Sequence, residues 1–200
     1  MLALVYDTET NRLPLWSSPD DNPLQPHVIQ IAAALYDTEQ RRPVSSINLI
    51  SKPGDYEFDE NAVNVHGITK EYAEQIGIPE PIALAAFYSL WEKAEIRVAH
   101  NEKFDTRIVR IALMRFGTSK EVEKWDAGSS FCTMQAAKPI VQAKNVRGAL
   151  KLPNLGEAYK YFTGNDLPQA HTAHGDTRGC AAVYFAINDY LALLSGVWRP

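Results

Sequence analysis

The sequence predicts an α/β protein, a mixed sheet flanked by helices, and three observations carry that prediction. Strand-like runs follow one another near the N-terminus, helical spacing dominates from about residue 70 onward, and short apolar strands fall between the later helices. Successive strands favour an antiparallel meander, whereas strands alternating with helices extend a sheet in mixed fashion.

In chain order, Leu2–Tyr6, Val28–Leu35 and Ser46–Ile50 read as strands, with turn signals between them. Between the first two, Pro14 to Pro26 holds four prolines together with Ser17-Ser18 and Asp20-Asp21-Asn22, which makes it a loop at the open end of the sheet. Its place beside Asp7 and Glu9 marks it as a candidate substrate rim. Helices are predicted over roughly Lys70–Gln75, Ile82–Lys93, Phe104–Phe116 and Leu155–Phe162, with a long one from about Gly175 to Leu194. A short strand, Ile96–Ala99, precedes the third helix, and Ser130–Thr133 reads as another. There is no internal repeat.

A chain of 200 residues fits one domain, taken here as residues 1–200. Hydrophobic content of 46% with 22% charged residues is globular composition and excludes a disordered or fibrous chain. The start MLALVYDTE lacks the basic region and apolar core of a signal peptide, and Tyr190–Trp198 is too short to span a bilayer. The expectation is a soluble cytoplasmic protein with no membrane association. Cys132 and Cys180 lack CxxC spacing, so reduced core thiols are expected in place of zinc ligands or a disulfide framework. A formal charge of −4 excludes a basic coat for non-specific nucleic-acid binding and leaves local basic patches open.

Chemistry concentrates in five residues: Asp7 and Glu9 in YDTET, Asp105 in HNEKFD, and His171 with Asp176 in HTAHGD. Like charges gathered in a water-poor pocket carry raised pKa values and a stability cost, so such a gathering implies bound cations. Alternate residues of a strand share a face, so Asp7 and Glu9 point the same way and Thr8 the other. From this triplet alone, a strand-to-loop junction is an equally good reading. Asp105 starts an amphipathic helix whose apolar spacing comes from Phe104, Ile108, Ile111 and Phe116, where an acid is often only a dipole cap. Asp176 lies one turn before the stripe Cys180, Val183, Ile187, Leu191 and Leu194, and His171 sits where the chain enters that helix, placed to act as a general base.

In this order the motifs resemble the DEDDh family of 3′-to-5′ exonucleases, which includes the proofreading epsilon subunit of bacterial DNA polymerase III, ribonuclease T and oligoribonuclease. Asp7-Thr8-Glu9-Thr10 resembles the first motif, Ala99-His100-Asn101 with Phe104-Asp105 the second, and His171-x-Ala173-x-x-Asp176 the third. His66-Gly67-Ile68-Thr69, Cys132-Thr133-Met134 and Leu152-Pro153-Asn154-Leu155 are similar too, so the likeness runs from about Leu4 to Tyr190. It implies the ribonuclease-H-like fold, a mixed five-stranded sheet with helices on its faces. One departure stands out: where many members carry Gly after the first motif, this chain has Asn11-Arg12-Leu13, so either Asn11 takes a left-handed dihedral or the turn differs.

The resemblance implies hydrolysis of phosphodiester bonds at a 3′ end with two divalent ions, Mg²⁺ or Mn²⁺, held by oxygen ligands. Asp7 would bridge both ions, Glu9 and Asp176 would hold the one that activates water, Asp105 would serve the second partly through water, and His171 would deprotonate the water. Thr8, Thr10 and Asn101, within the motifs, are expected to contact substrate; Leu13 and Phe104 would wedge against or stack on terminal bases, with core packing the alternative for both. His171, by its spacing to Asp176, is preferred over His174 as the base; His100 is expected to be structural and His66 to order the nearby loop.

No acid occurs from Ala127 through Gly156, whereas Lys138, Lys144, Arg147 and Lys151 do, so Lys144, Arg147 and Lys151 are expected to meet the substrate backbone. The stripe Lys103, Arg107 and Arg110 reads as a solvated face. The favoured function is an exonuclease acting on single-stranded 3′ ends of DNA, free or as a separate proofreading subunit partnered with a polymerase. An exoribonuclease of the same family and a non-catalytic binding module of the same fold are the alternatives.

Overall fold

The computed structural model describes residues 1–196, so the end of the apolar C-terminal run, Val197 and Trp198, lies outside the described residues. Three strands open the chain: β1 (Leu2–Thr10), β2 (Val28–Asp37) and β3 (Arg42–Lys52). Two short helices, α1 (Glu60–His66) and α2 (Lys70–Ile76), lead to a two-residue strand, β4 (Ile78–Pro79), and to α3 (Glu80–Trp91). Then come β5 (Ile96–Ala99), α4 (Glu102–Phe116), α5 (Ser119–Ala127), β6 (Ser130–Cys132), α6 (Thr133–Val141), α7 (Leu155–Thr163) and the long α8 (Ala173–Leu194). The strands form one mixed sheet in the order β4-β3-β2-β1-β5-β6, antiparallel across β1, β2 and β3 and parallel where β1 meets β5 and β5 meets β6. Five strands are those expected from the sequence; β4 makes the sixth, a two-residue addition to the edge of β3. At two residues it has no periodicity to read.

Strand alternation on β1 sorts the two layers. Leu4 and Tyr6 face α3, α4 and α5, where Phe87, Trp91, Ile108, Ile111, Leu113 and Trp125 build the main core. Ala3 and Val5 face α8 and meet Cys180, Ala181 and Tyr184. That second face mixes small residues, Ala3 and Ala34 on the sheet and Cys180 and Ala181 on the helix, with the larger Tyr36 and Tyr184. Among the described residues, no helix is long and apolar enough to cross a membrane.

The turn after β1 resolves the question raised by Asn11-Arg12. Neither residue has positive φ. Asn11 is instead buried at 2% exposure and laces three segments together. Its side chain donates to Glu57 O (2.8 Å) and accepts from His27 N (2.8 Å), while its own carbonyl accepts from Asp59 N (2.8 Å). Side-chain hydrogen bonds thus do here what a glycine's free backbone does elsewhere. Replacing Asn11 with Ala strands both amide partners, and unfolding in urea should show a loss of roughly 1–3 kcal/mol with an unchanged m-value. A loss below a few tenths of a kcal/mol would reject this role.

Candidate active site

β1 runs beyond its parallel partner. The register pairs Ala3 with Ile96 and Val5 with Val98, so Asp7 and Glu9 project where β5 has ended and α4 is about to begin. This carboxyl end of adjacent parallel strands is the usual ligand crevice of open α/β sheets. A register shift between Glu9 and Thr10 against β2 adds a local bulge at the carboxylate pair, a device that re-aims side chains. On the odd face, Asp7 and Glu9 meet Asp176 from the first turn of α8, with one carboxylate oxygen from each lying within 4.8 Å of the others. Residues 167 positions apart in sequence are thereby brought to one point.

Asp105 reaches the site from the opposite face of β1. Buried at 2% exposure, its Oδ1 accepts from Thr8 N (3.0 Å) and Thr8 Oγ1 (2.7 Å). The even-numbered residue between Asp7 and Glu9 therefore fixes the fourth carboxylate, leaving Asp105 outside the three-oxygen group yet close enough to act on Asp7. Expected as a substrate contact, Thr8 has a different partner: its strand face turns inward, and both of its donors go to Asp105. Thr10 is likewise buried and gives its hydroxyl to Arg12 O (2.7 Å).

Electrostatics follow from the crowding. Asp7 is raised well above the ordinary carboxylate range, first by burial and then by Asp105, Glu9 and Asp176. Burial, then Asp176 and Asp105, push Glu9 up to about 8. Asp105 is raised by burial against the downward pull of the two Thr8 hydrogen bonds, and Asp176 is raised by burial against the downward influence of His171. Hard oxygen donors, crowded and short of compensating protein charge, fit one or more divalent cations. The thiol of Cys180 lies beneath them and is pushed upward by burial, which keeps it a neutral core group, not a ligand.

The entry to α8 is built around Asp176. Thr172 caps the helix by accepting from Gly175 N (3.1 Å), and Gln30 Oε1 on β2 accepts from Ala173 N (3.2 Å), tying the helix start to the strand beside Glu9. Gly175 lies against the backbone of Gln169: an added Cβ would fall 2.2 Å from its carbonyl oxygen. The backbone N–H of His171, at φ 66°, donates to Asp176 Oδ2 (3.2 Å), and the residue is exposed beside a carboxylate whose pKa it pulls down. His174 is exposed on the first turn.

The other expected residues sort as follows. His100 is structural: Nε2 donates to Pro153 O (3.1 Å), Nδ1 faces Thr133 Oγ1 (2.9 Å), and burial pushes its pKa down to about 4. His66 accepts from Ile68 N at Nδ1 (3.0 Å), which leaves Nε2 to donate to Thr10 O (3.3 Å) at the end of β1. Phe104 is half-buried against the main core, and Leu13 is 72% exposed at the start of the loop. Asn101 adopts a left-handed conformation (φ 72°) at the N-cap of α4, with its side chain exposed and making no capping bond. Lys144, Arg147 and Lys151 lie on an irregular hairpin closed by Asn145 and Ala149; Lys151 pairs with Glu157 at 2.7 Å. Arg107 and Arg110 are not a solvated face: both bind Asp20 at 2.7 Å, and Arg107 also donates to Leu15 O and Ser18 O, clamping the proline-rich loop onto α4. Sequence spacing found the basic stripe, but its acidic partner lies 87 residues upstream of Arg107.

The sequence model described as Exonuclease, that of the ribonuclease T family, matches residues 4–184. The chain belongs to this exonuclease family. No curated protein sequence matches it. Among solved structures, it is similar to Escherichia coli exonuclease I in complex with a dT13 oligonucleotide, with a TM-score of 0.79, 20% identity, and coverage of 98% of this chain and 42% of that one. The same enzyme with a dA16 oligonucleotide gives a TM-score of 0.72 at 21% identity, over 95% of this chain and 42% of that one. The chain thus spans less than half the length of the exonuclease I chains it matches, and at this identity the likeness establishes the ribonuclease-H-like fold.

The raised carboxylates make stability without metal pH-dependent. In EDTA the folded chain keeps protons that the unfolded chain gives up in the ordinary carboxylate range, so this contribution is full at low pH and is lost as pH rises through the folded value, about 8 for Glu9. The melting temperature in EDTA should fall between about pH 5 and about pH 8, and Mg²⁺ should restore it most at the upper end. Asp7→Asn should flatten both trends; a wild-type slope no steeper than the variant's would reject the electrostatic account.

Proposed function

We propose that the chain is a divalent-metal-dependent 3′-to-5′ exonuclease that removes nucleoside 5′-monophosphates from single-stranded DNA. The observation that carries this reading is the convergence of Asp7, Glu9 and Asp176 within 4.8 Å, in a chain of the exonuclease family. Exonuclease I solved with dT13 and dA16 supports single-stranded DNA as the substrate class. Within this reading, residues 1–200 form one exonuclease domain working in the cytoplasm, free or as the proofreading partner of a polymerase.

Asp7, Glu9 and Asp176 would hold two ions, Mg²⁺ or Mn²⁺, with Asp105 contributing its second oxygen; when bound, the metal supplies activation of water and neutralisation of charge at the phosphate. Thr8 holds Asp105 in place through two hydrogen bonds. His171 is the general base: exposed beside Asp176, it takes a proton from the attacking water. Asn101, exposed at the first turn of α4, contacts the terminal nucleotide, Thr10 supports the bulged strand end beneath it, and Leu13 and the free edge of Phe104 meet its base. Lys144 and Arg147 meet the upstream backbone; Lys151, already paired with Glu157, adds less.

Digestion of 5′-labelled DNA and RNA oligonucleotides of matched sequence, with Mg²⁺ or Mn²⁺, tests polarity, product and sugar preference together. Asp7→Asn should abolish hydrolysis while keeping the fold, and His171→Ala should lower turnover roughly 10²–10⁴-fold with little change in metal affinity, because a general base acts in the transition state. His174→Ala should be much milder. Equal effects at the two histidines would overturn the assignment of the base.

Replacing Lys144, Arg147 and Lys151 together with Gln should raise the Michaelis constant for oligonucleotides. The slope of log affinity against log salt should fall by about 1.4, two single-strand phosphate contacts at roughly 0.7 each, because Lys151 is already neutralised. An unchanged slope would make the hairpin a solvated surface remote from substrate.

A further inference from the structure

We infer that Trp16, on the proline-rich loop after β1, is a stacking subsite for a nucleobase of the bound single strand, upstream of the 3′-terminal nucleotide; this rests on the exonuclease reading above. A single exposed tryptophan is ordinary on a protein surface. What sets Trp16 apart is how much of the structure is committed to holding it still. The Gln25 side chain, 2% exposed inside the loop, accepts from Leu15 N (3.0 Å) and donates to Leu15 O, Ser18 O and Pro19 O at 3.0 to 3.3 Å. From outside, Arg107 and Arg110 grip Asp20, and Arg115 donates to the carbonyls of Gln25 and Pro26. A loop with four prolines and this many internal ties has lost its freedom before any ligand arrives.

On that fixed loop the indole lies over two cations of α4, with the Arg107 guanidinium 4.8 Å and the Lys103 ammonium 5.7 Å from its centroid. Residues at i and i+4 rise from the same helix face, so both cations lie on the α4 side of the ring. Half of the residue, 51%, remains open to solvent. An aromatic ring backed by a cation and open on its other side is the platform on which single-strand binders stack bases, tolerant of sequence because every base has a π-face. Lys103 lies two residues before Asp105 and forms no carboxylate pair among the described residues, which leaves its ammonium for a backbone phosphate beside the stacked base. The loop leaves β1 just beyond Glu9 and returns against α4, and the two α4 cations under the indole, Lys103 and Arg107, each stand two residues from Asp105 in sequence.

Binding of a labelled oligothymidylate in EDTA, with one abasic nucleotide moved stepwise from the 3′ end, reads the subsite without hydrolysis. For wild type, an abasic nucleotide at one upstream position should weaken binding about tenfold or more, as expected for one lost base–aromatic stack. Trp16→Ala should weaken binding of the intact strand by a similar factor and erase the penalty at that position alone, whereas Trp16→Phe should keep both. Should Trp16→Ala fail to fold, Trp16→Leu fills the same space without a π-face and should reproduce the loss. Equal weakening of intact and abasic strands, or a leucine variant that binds like wild type, would overturn the subsite. A wild type that shows the positional pattern but cleaves nothing would sink the nuclease reading and spare the subsite. One that cleaves without the pattern would do the reverse.

Discussion

The repulsion among the gathered carboxylates is the constraint to which the surrounding structure answers. Two unit charges 4.8 Å apart in an effective dielectric of about 20 repel by roughly 3.5 kcal/mol, so three ionised groups at that spacing cost on the order of 10 kcal/mol. That is comparable to the whole net stability of a typical domain. The chain cannot hold them charged without help, and the raised pKa values express this: protons, or cations in their place, must occupy the site. Around the cluster, polar ties are correspondingly dense. Thr8 holds Asp105, Gln30 holds the start of α8, Thr172 caps that helix, and His66 holds the end of β1. Each restrains an element that the charges would otherwise push apart.

The scaffold makes this affordable by separating cohesion from chemistry. The aromatic core of Tyr6, Phe87, Trp91 and Trp125 lies on one face of the sheet, and the packing of α8 on the other. Only the last residues of β1, past the end of β5, leave the core and enter the crevice. Burial of the strand's first half fixes the position of its second, so the carboxylates inherit rigidity from a largely apolar packing in which Arg97, stacked over Trp125 and paired with Glu102, is a buried charge.

Much of this was legible in the sequence, and what was not has physical reasons. The five strands and five principal helices follow from apolar periodicity, as does the facing of Asp7 and Glu9. The short helices α1 and α5 were not read, because α1 is seven residues long and α5 is held by a capping box at Thr118 and Glu121 and the single buried Trp125. α6 is not legible either: the strand expected at Ser130–Thr133 is β6 and overlaps α6 only at Thr133, and Pro139 inside α6 masks the helical pattern. At the site, the motifs named the carboxylates, but periodicity could not show that Thr8 serves Asp105 or that Asn11 does the work of a turn glycine. Both depend on partners tens of residues away: Asp105 is 97 positions from Thr8, and Glu57 is 46 from Asn11. The basic stripe on α4 was misread for the same reason, since only the folded loop reveals Asp20 beneath it.

The alternation along β1 has a consequence for how this protein can change. Odd positions Asp7 and Glu9 present oxygen to the crevice while even Thr8 braces the fourth carboxylate, Asp105, from behind, so the strand works as a two-sided template with a period of two. A single inserted or deleted residue upstream of Asp7 would exchange the two sides, burying the acids in an aromatic core and turning the brace toward solvent. The constraint on length therefore lies in the residues of β1 that precede Asp7, whereas the loop after Thr10, held by its own side-chain ties, has no alternation to lose.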